Sequence, residues 1–355
     1  MPIVLTQTKH YQTTAQLREY ILGLPAGDTV PVVSELIAML GCSHGTAIRA
    51  LKALSDEGLI SRPPRKQRYI VARHAERSSA RIAMVRPDFP TASFDNLLRG
   101  VFEKGKEKNW SFCHYFYRNA EELDFNRIAA DCDGLVMIPT SEYIPSELVG
   151  RMLEMGKPIV VMQEHLEHAR ISNVAADDEA VGRMAARIFF ERDYKRVLLI
   201  KDQPDESTMQ LRIAGFRDEA VRLGLLLAEE LFLDTELQSF ESPHDKLQIA
   251  FTEFLQKNIS FDAVFCLTLD AASVVHRALL KSGRKIPDEV GLLAYSSNGK
   301  MAEYFTPSIT TISIDLDAEA ENTVDILYNC LNSNTFSACT RLASPFLMER
   351  ESLKK

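Results

Sequence analysis

From Arg81 onward the chain alternates short apolar runs with amphipathic stretches, and that alternation leaves few folds open. Ile82–Val85, Phe112–Phe116, Gly134–Ile138 and Pro158–Met162 read as strands, with helical spacing over Asn96–Asn109, Glu121–Asp131 and Glu147–Met155. Near Ile171–Val174 the chain crosses over and a second cycle begins. Its strands are Val197–Ile200, Ala263–Leu267 and Val290–Ala294. Its helices are close to Glu179–Arg192, Leu211–Leu223, Asp245–Gln256 and Ala272–Ser282. Strands that are apolar along their whole length are buried on both faces, which alternating helices achieve by covering a parallel sheet. The two cycles predict an α/β body of two doubly wound parallel-sheet lobes. A cleft at the carboxyl ends of such strands is where small ligands bind.

The first 80 residues follow another pattern. Thr13 and Gln16 have the spacing of a capping box, and Leu17, Tyr20, Ile21 and Leu24 then recur at helical period. Leu36, Ile37 and Leu40 line one face of a short second helix. Gly41-Cys42 makes a tight turn in which glycine takes a left-handed backbone at no steric cost. Ser43 suits the N-cap of a third helix whose buried stripe is Ala47, Ala50, Leu51 and Leu54. The opposite face presents Ser43, His44, Gly45, Thr46, Arg49 and Lys52, small and basic residues fit for close approach to a major groove. Gly58 ends that helix, and Leu59–Arg62 and Arg68–Val71 read as two strands joined by Pro63–Gln67. This hairpin has no acidic residue. Its Arg62, Arg65, Lys66 and Arg68 suit phosphates or a minor groove. The unit is predicted to be a winged helix-turn-helix whose partner is operator DNA.

Charge separates the two parts. The first 80 residues hold ten Lys+Arg against six Asp+Glu and the remainder 31 against 43, so a head of +4 precedes a body of −12 in a chain of −8. A basic head on an acidic body is expected when only one module meets nucleic acid. The expected division is a DNA-binding head over 1–72, a polar linker over 73–80 and an effector and dimerisation domain over 81–350. Within it, the first lobe is expected near 81–173 and 304–330, and the second near 174–303 and 331–350.

The run LPAGDTVPVVSELIAMLGCSHGTAIRALKALSDEGLI resembles the DNA-binding unit of gluconate-repressor-type (GntR) regulators. It departs from that pattern at Ser34 and His44, where the family commonly has arginine, and at Arg65 and Gln67, where wing glycines are usual. Residues 81–350 resemble the effector domain of lactose- and galactose-repressor-type regulators, whose lobes are periplasmic-binding-protein-like. The similarity is carried by LRIAGFRDEAVRLG, by DAVFCLTLDAASVVHRALLKSGRKIPDEVGLLAYSSN and by YFTPSITTISID. Such a head on such a body is the arrangement of arabinose-repressor-like regulators.

The resemblance implies an effector site in the interlobe cleft. It assigns Arg212 to ligand hydroxyls or a carboxylate, where guanidinium supplies paired donors. It assigns Phe94 to a sugar face or purine, with a core phenylalanine as the equal alternative. Asp270 either faces the ligand or caps the helix beginning at Ala271. Gln163 and Ser296 occupy positions where the family has ligand-facing aspartates, and Leu269 stands for an asparagine. Sugar hydroxyls left without acceptors in a closed cleft cost about 1–3 kcal/mol each. The effector is therefore poorer in hydroxyls than a hexose, or other residues supply the acceptors.

The expected function is a ligand-responsive transcriptional regulator, a repressor rather than an activator, acting as a homodimer on a near-palindromic operator with a sugar or related metabolite as effector. Other readings stay open: a dimeric DNA-binding protein whose body is only a scaffold, a small-molecule carrier, or an enzyme on the two-lobed body. Against an enzyme, there is no nucleotide-binding glycine loop, no metal-spaced His/Asp set and no Gly-x-Ser-x-Gly elbow. No cofactor or metal is implied. The six cysteines lack metal spacing and read as reduced. The N-terminal residues do not have signal-peptide order, and no apolar run has membrane-spanning length, so the expected location is the cytoplasm.

Overall fold

The computed structural model describes residues 9–22, 24, 27–56, 60–62, 68–71, 80–88, 92–139, 144–166, 168–225, 228–238, 241–297, 299–332 and 338–354. By its internal contacts the chain divides into a unit of Met1–Ser79 and a unit that begins at Ala80.

In the first unit, α1 (Lys9–Leu22), α2 (Val33–Leu40) and α3 (His44–Asp56) precede a small antiparallel ladder. That ladder pairs β1 (Ile60–Ser61) with β2 (Ile70–Val71), Ile60 opposite Val71. Leu17, Ile21, Leu36, Ala47, Ala50 and Leu54 close its core, so the periodic apolar positions fold inward as the spacing predicts. Gly41 caps α2 in the left-handed region at φ 59°, its N–H donating to the Ile37 carbonyl. One expectation fails. The helix α1 begins at Lys9, and Thr13 and Thr14 are buried on it rather than capping it. No glycine or proline interrupts the residues just before Thr13, so the helix runs through. The wing ladder is two residues long on each side. Its tip, with Arg65 and Lys66, and most of the expected linker lie outside the described residues.

The second unit holds two six-stranded sheets. The first lobe is entered through β3 (Arg81–Pro87), α4 (Ala92–Glu107), β4 (Ser111–Tyr117), α5 (Phe125–Asp131), β5 (Gly134–Met137), α6 (Ser146–Glu154), β6 (Ile159–Met162) and β7 (Ser172–Ala176). The second follows as α7 (Asp178–Glu191), β8 (Val197–Lys201), α8 (Ser207–Leu223), β9 (Phe232–Asp234), α9 (Pro243–Gln256), β10 (Ala263–Cys266), α10 (Leu269–Lys281), β11 (Gly291–Tyr295) and β12 (Thr310–Ser313). The chain then runs through α11 (Leu316–Asn332), β13 (Thr340–Ala343) and β14 (Phe346–Met348). The sheet orders are β13-β7-β6-β5-β3-β4 and β14-β12-β11-β10-β8-β9. All pairings are parallel except that of β14 with β12. Successive side chains enter different cores: Ile82 and Met84 face one cluster, Ala83 and Val85 the other. Burial on both faces is why these strands read as continuous apolar runs.

The lobe boundaries differ from the expected ones. The strand β7 lies wholly in the first sheet, so the first crossing comes after Ala176 rather than near 173. The strand β12, expected in the first lobe, pairs with β11 in the second, and the return crossing comes after it. The helix α11 then packs Ala320, Val324 and Leu327 against Ile82 and Leu97 of the first lobe. Finally β13 edges the first sheet, and only β14 belongs to the second. The segments TTIS and TRLA are too short and too polar to declare a sheet, and pairing partner is not a local property of sequence.

Within the second lobe α7 and α8 touch backbone to backbone. A Cβ on Gly182 would lie 2.1 Å from the Arg212 carbonyl oxygen, and one on Gly215 2.1 Å from that of Glu179. Glycine is required at both positions by this approach. The contact clamps the helix that starts at the first lobe crossing onto the helix that carries Arg212.

Candidate effector site and nucleic-acid interface

On the head, Ser43 stands just before α3, and its Oγ accepts from the Thr46 backbone N–H at 3.3 Å. This is the expected cap. Ser43, His44, Gly45, Arg49 and Lys52 are exposed on one face, and Thr46 is half-buried beneath them. Arg49 folds along the helix, its Nε donating to the Gly45 carbonyl at 3.2 Å. Ile48, which the sequence reading passed over, is 46 % exposed on the same face. An apolar side chain there suits the methyl group of thymine. Arg62 and Arg68 are both exposed, and the Arg62 guanidinium lies 6.0 Å from the centroid of the Tyr69 ring.

In the body, the strand order of each lobe reverses beside its first strand: β4 and β5 flank β3, and β9 and β10 flank β8. Helices leave such a point in opposite directions, opening a crevice at the carboxyl ends of the strands. In the second lobe Asp202 and Thr268 stand there, and the Thr268 hydroxyl meets both carboxylate oxygens at 2.9 and 2.8 Å. Burial pushes the Asp202 carboxyl up to about 6 against the opposing effect of that hydrogen bond.

Arg212, on α8, is buried beside this point. Its Nε donates to Asp178 Oδ1 at 2.6 Å, its Nη1 to the Leu267 carbonyl at 2.8 Å, and its guanidinium carbon lies 3.7 Å from the Tyr295 ring centroid. Asp178, fully buried at the start of α7, also meets His165 Nε2 at 2.9 Å through its other oxygen. His165 follows β6 of the first lobe, so this pair joins the lobes. The His165 backbone N–H donating to Ser207 Oγ at 3.0 Å is a second tie. Carboxyl groups gather around the single guanidinium. Burial first, and then the Glu164 charge, raise the Glu206 carboxyl to about 8. Burial first, and then Asp178, raise Glu319 to about 8. Gln163 donates from Nε2 to Glu319 Oε2 at 3.0 Å, whereas Glu319 Oε1 and the Tyr295 hydroxyl are buried without a hydrogen-bond partner. Removing an ion from water costs several kcal/mol unless it is paired, so a cluster with this balance keeps protons on its surplus acids.

The residues expected from sequence are distributed as follows. Arg212 and Gln163 lie in this cluster. Ser296 is buried next to Tyr295, its N–H donating to the Ile312 carbonyl at 2.9 Å. Phe94 is half-buried in the first turn of α4 and packs against the first-lobe core. Asp270 is exposed in the first turn of α10, but it is not the cap. The helix starts earlier, at Leu269, and Thr268 Oγ1 accepts from the Ala271 N–H at 3.0 Å. The sequence reading missed Asp178, Tyr295 and Glu319 as members of the site. Asp177-Asp178 directly after a strand was the available signal; for Glu319 there was none. Among the described residues, no His/Cys/Asp/Glu group could hold a metal ion.

A head with an outward basic helix face, joined to a two-lobed body with a polar cluster at the lobe junction, defines a ligand-responsive transcriptional regulator. Residues 10–70 match bacterial regulatory proteins of the gntR family, and residues 186–353 match the periplasmic binding protein-like domain. The chain thus carries a gntR-family DNA-binding domain and a periplasmic-binding-protein-like effector domain. It is 25 % identical over 270 residues to the ribose operon repressor of Escherichia coli (strain K12), covering 73 % of this chain and 78 % of that one. It is 28 % identical over 224 residues to the HTH-type transcriptional repressor PurR of Erwinia tasmaniensis, covering 62 % and 63 %. In structure it is similar to a transcriptional regulator CelR–cellobiose complex, with TM-score 0.68, 21 % identity and coverage of 91 % of this chain and 100 % of that one. It is also similar to a LacI family regulator from Enterococcus faecium with bound ribose, with TM-score 0.65, 20 % identity and coverage of 77 % and 98 %. These relatives are regulators rather than enzymes. No described helix is long and apolar enough to cross a membrane.

Proposed function

We propose that the chain is a cytoplasmic transcriptional repressor that binds a near-palindromic operator as a homodimer and is controlled by a sugar or sugar-like effector. The observation that carries this reading is the joining of the lobes through His165 and Asp178, beside Arg212, in a chain whose head presents a basic helix face. A ligand in the cleft touches both lobes and so acts on that junction. A coupling of about 1–3 kcal/mol between cleft and head changes DNA affinity about 5- to 150-fold. Two-fold pairing of the body gives two heads and two half-sites. Repression needs only occupancy of a promoter. The ribose and cellobiose of the relatives above favour a sugar effector, and Glu319, Tyr295 and Asp202 supply acceptors in place of the aspartates that Gln163 and Ser296 replace.

In this reading Ser43, His44, Gly45, Thr46, Arg49 and Lys52 contact bases and nearby phosphates, and Arg62, Arg65, Lys66 and Arg68 hold the backbone. Gln163, Arg212 and Ser296 bind the effector, with Asp270 and Phe94 at the margin of the cleft.

Selection of DNA from a random pool, with and without a panel of sugars and sugar acids, tests it. A two-fold-symmetric site whose recovery changes with one sugar supports the proposal. A symmetric site with no thermal shift from any panel member would favour a scaffold body instead, a reading suggested by the engagement of Arg212 with Asp178 and Leu267. Recovery of no site would refute both.

A further inference from the structure

Resting on the effector reading above, we propose that the ligand of the cleft carries a protonated amine beside its hydroxyls, as an amino sugar does, with Glu319 as its counter-ion. Glu319 stands in the first turn of α11, just beyond β12, and Tyr295 ends β11. These strands are parallel, with Tyr295 opposite Ile312, so both residues lie past the carboxyl edge of the second sheet or at it. From the first lobe, the Gln163 N–H donates to the Val174 carbonyl at 3.1 Å and its side chain reaches Glu319 Oε2 at 3.0 Å. His165, two residues on, reaches Asp178, and Asp178 holds the Arg212 guanidinium that lies over Tyr295. Hydrogen bonds and a ring contact therefore gather Glu319, Asp178, Arg212 and Tyr295 at the lobe junction.

Two atoms in this place are unused by the protein. Glu319 is 0 % exposed and Tyr295 6 %, yet Glu319 Oε1 and the Tyr295 hydroxyl have no hydrogen-bond partner. A buried polar atom without a partner destabilises the fold, and a ligand that supplies the partner removes that penalty. Charge then names the ligand. Glu164, Asp178, Asp202 and Glu319 are all buried. The Arg212 guanidinium is engaged with Asp178, and buried Lys201 is held by Asp205 and Asp234. Glu319 is met by the Gln163 amide, and Asp202 by the Thr268 hydroxyl and the Gln203 amide. Among the described residues no cationic side chain forms an ion pair with either.

A sugar acid would add an anion to a cleft whose guanidinium is already engaged, and a neutral sugar would leave the acidic surplus as it stands. An ammonium offsets one carboxylate and brings three donors. One donor meets Glu319 Oε1, and the Tyr295 hydroxyl meets a second donor or a neighbouring ring hydroxyl. Burial, and then Asp178, raise the Glu319 carboxyl to about 8, so without ligand it keeps its proton at neutral pH. The ammonium takes the place of that proton.

The test is thermal unfolding of the full chain with D-glucosamine, D-galactosamine and D-mannosamine, against D-glucose, N-acetyl-D-glucosamine and D-gluconate at the same concentration. At least one amino sugar should raise the midpoint more than all three comparison compounds do. Calorimetry at about pH 6 in two buffers of different ionisation enthalpy should show proton release on binding of that amine. Glu319→Gln keeps an oxygen for Gln163 but no charge. It should abolish the release, lower amine affinity at least about tenfold and leave the amine and D-glucose bound alike. D-glucose or D-gluconate shifting the midpoint as far as every amino sugar, or an amine preference that survives Glu319→Gln, would overturn this inference while the effector reading stands. No shift from any of the six would overturn it too, and the panel of sugars and sugar acids above then decides whether the effector reading falls with it.

Discussion

Glu319 should make the body less stable as pH rises, and Glu319→Gln should remove that dependence. The carboxyl is fully buried, and its value is raised from 4.5 to about 8, first by burial and then by the charge of Asp178. A folded-state value above the unfolded one means that the folded chain binds more protons. Stability is therefore undiminished below about 4.5, falls as pH rises toward 8 and levels off above it. Each pH unit inside that window costs about 1.4 kcal/mol, so the burden at pH 7 is about 3 kcal/mol. Glutamine is neutral throughout, and its amide oxygen can accept from Gln163 as the carboxyl does. Wild type and Glu319→Gln should unfold at the same denaturant concentration at pH 4.5–5. At pH 7 the variant should be more stable by about 3 kcal/mol. Urea titrations followed by Trp110 fluorescence, at several pH values and with slopes checked for constancy, measure this. A variant that is less stable than wild type by the same amount at every pH would refute the reasoning, because it would show Glu319 to be ionised and satisfied in the folded chain.

Other perturbations test other joints. Arg212→Ala strands the buried Asp178 carboxylate and should cost about 3–5 kcal/mol in urea unfolding, with Arg212→Lys intermediate because it restores charge without the planar fork over Tyr295. Gly182→Ala drives a methyl into the Arg212 carbonyl, so the α7–α8 pair must separate; a loss of at least about 1–3 kcal/mol should appear in thermal unfolding. Arg49→Ala should lower operator affinity by about 1–3 kcal/mol and relax base preference, whereas Arg68→Ala should weaken all sequences alike and reduce the salt slope by about one; fluorescence anisotropy at several salt concentrations separates these outcomes.

The elements that were legible in the sequence are those whose signal is local. The run VLLIK and the run AVFC declare buried strands without help from the rest of the chain, and the Gly41 turn needs only its own backbone freedom. By contrast β12, β13 and β14 are short, polar or edge strands, and their membership in a sheet is decided by partners far away in sequence. The site divides in the same way. Arg212 is marked by the segment around it, but its partner Asp178 is 34 residues away, and Gln163 and Glu319 are 156 residues apart. Crossing of the chain between lobes brings these groups together. The cap of α10 failed for a smaller reason: Thr268 and Asp270 are both able caps, and helix phase alone chose threonine.

The interleaved ends of the two sheets set the order in which the body can be completed during synthesis. The strand β13 closes one edge of the first sheet and β14 one edge of the second. Neither sheet is whole until residues 340–348 have left the ribosome. The head, with its own core and early place in the chain, has no such dependence and can fold while the body is still being made. For that interval the nascent chain exposes a DNA-binding head beside two sheets with open edges, and open edges are where strands of other chains pair. Completion of both sheets by residues 340–348 therefore removes one open edge from each, the last step that shields the inner strands β7 and β12 from pairing with another chain.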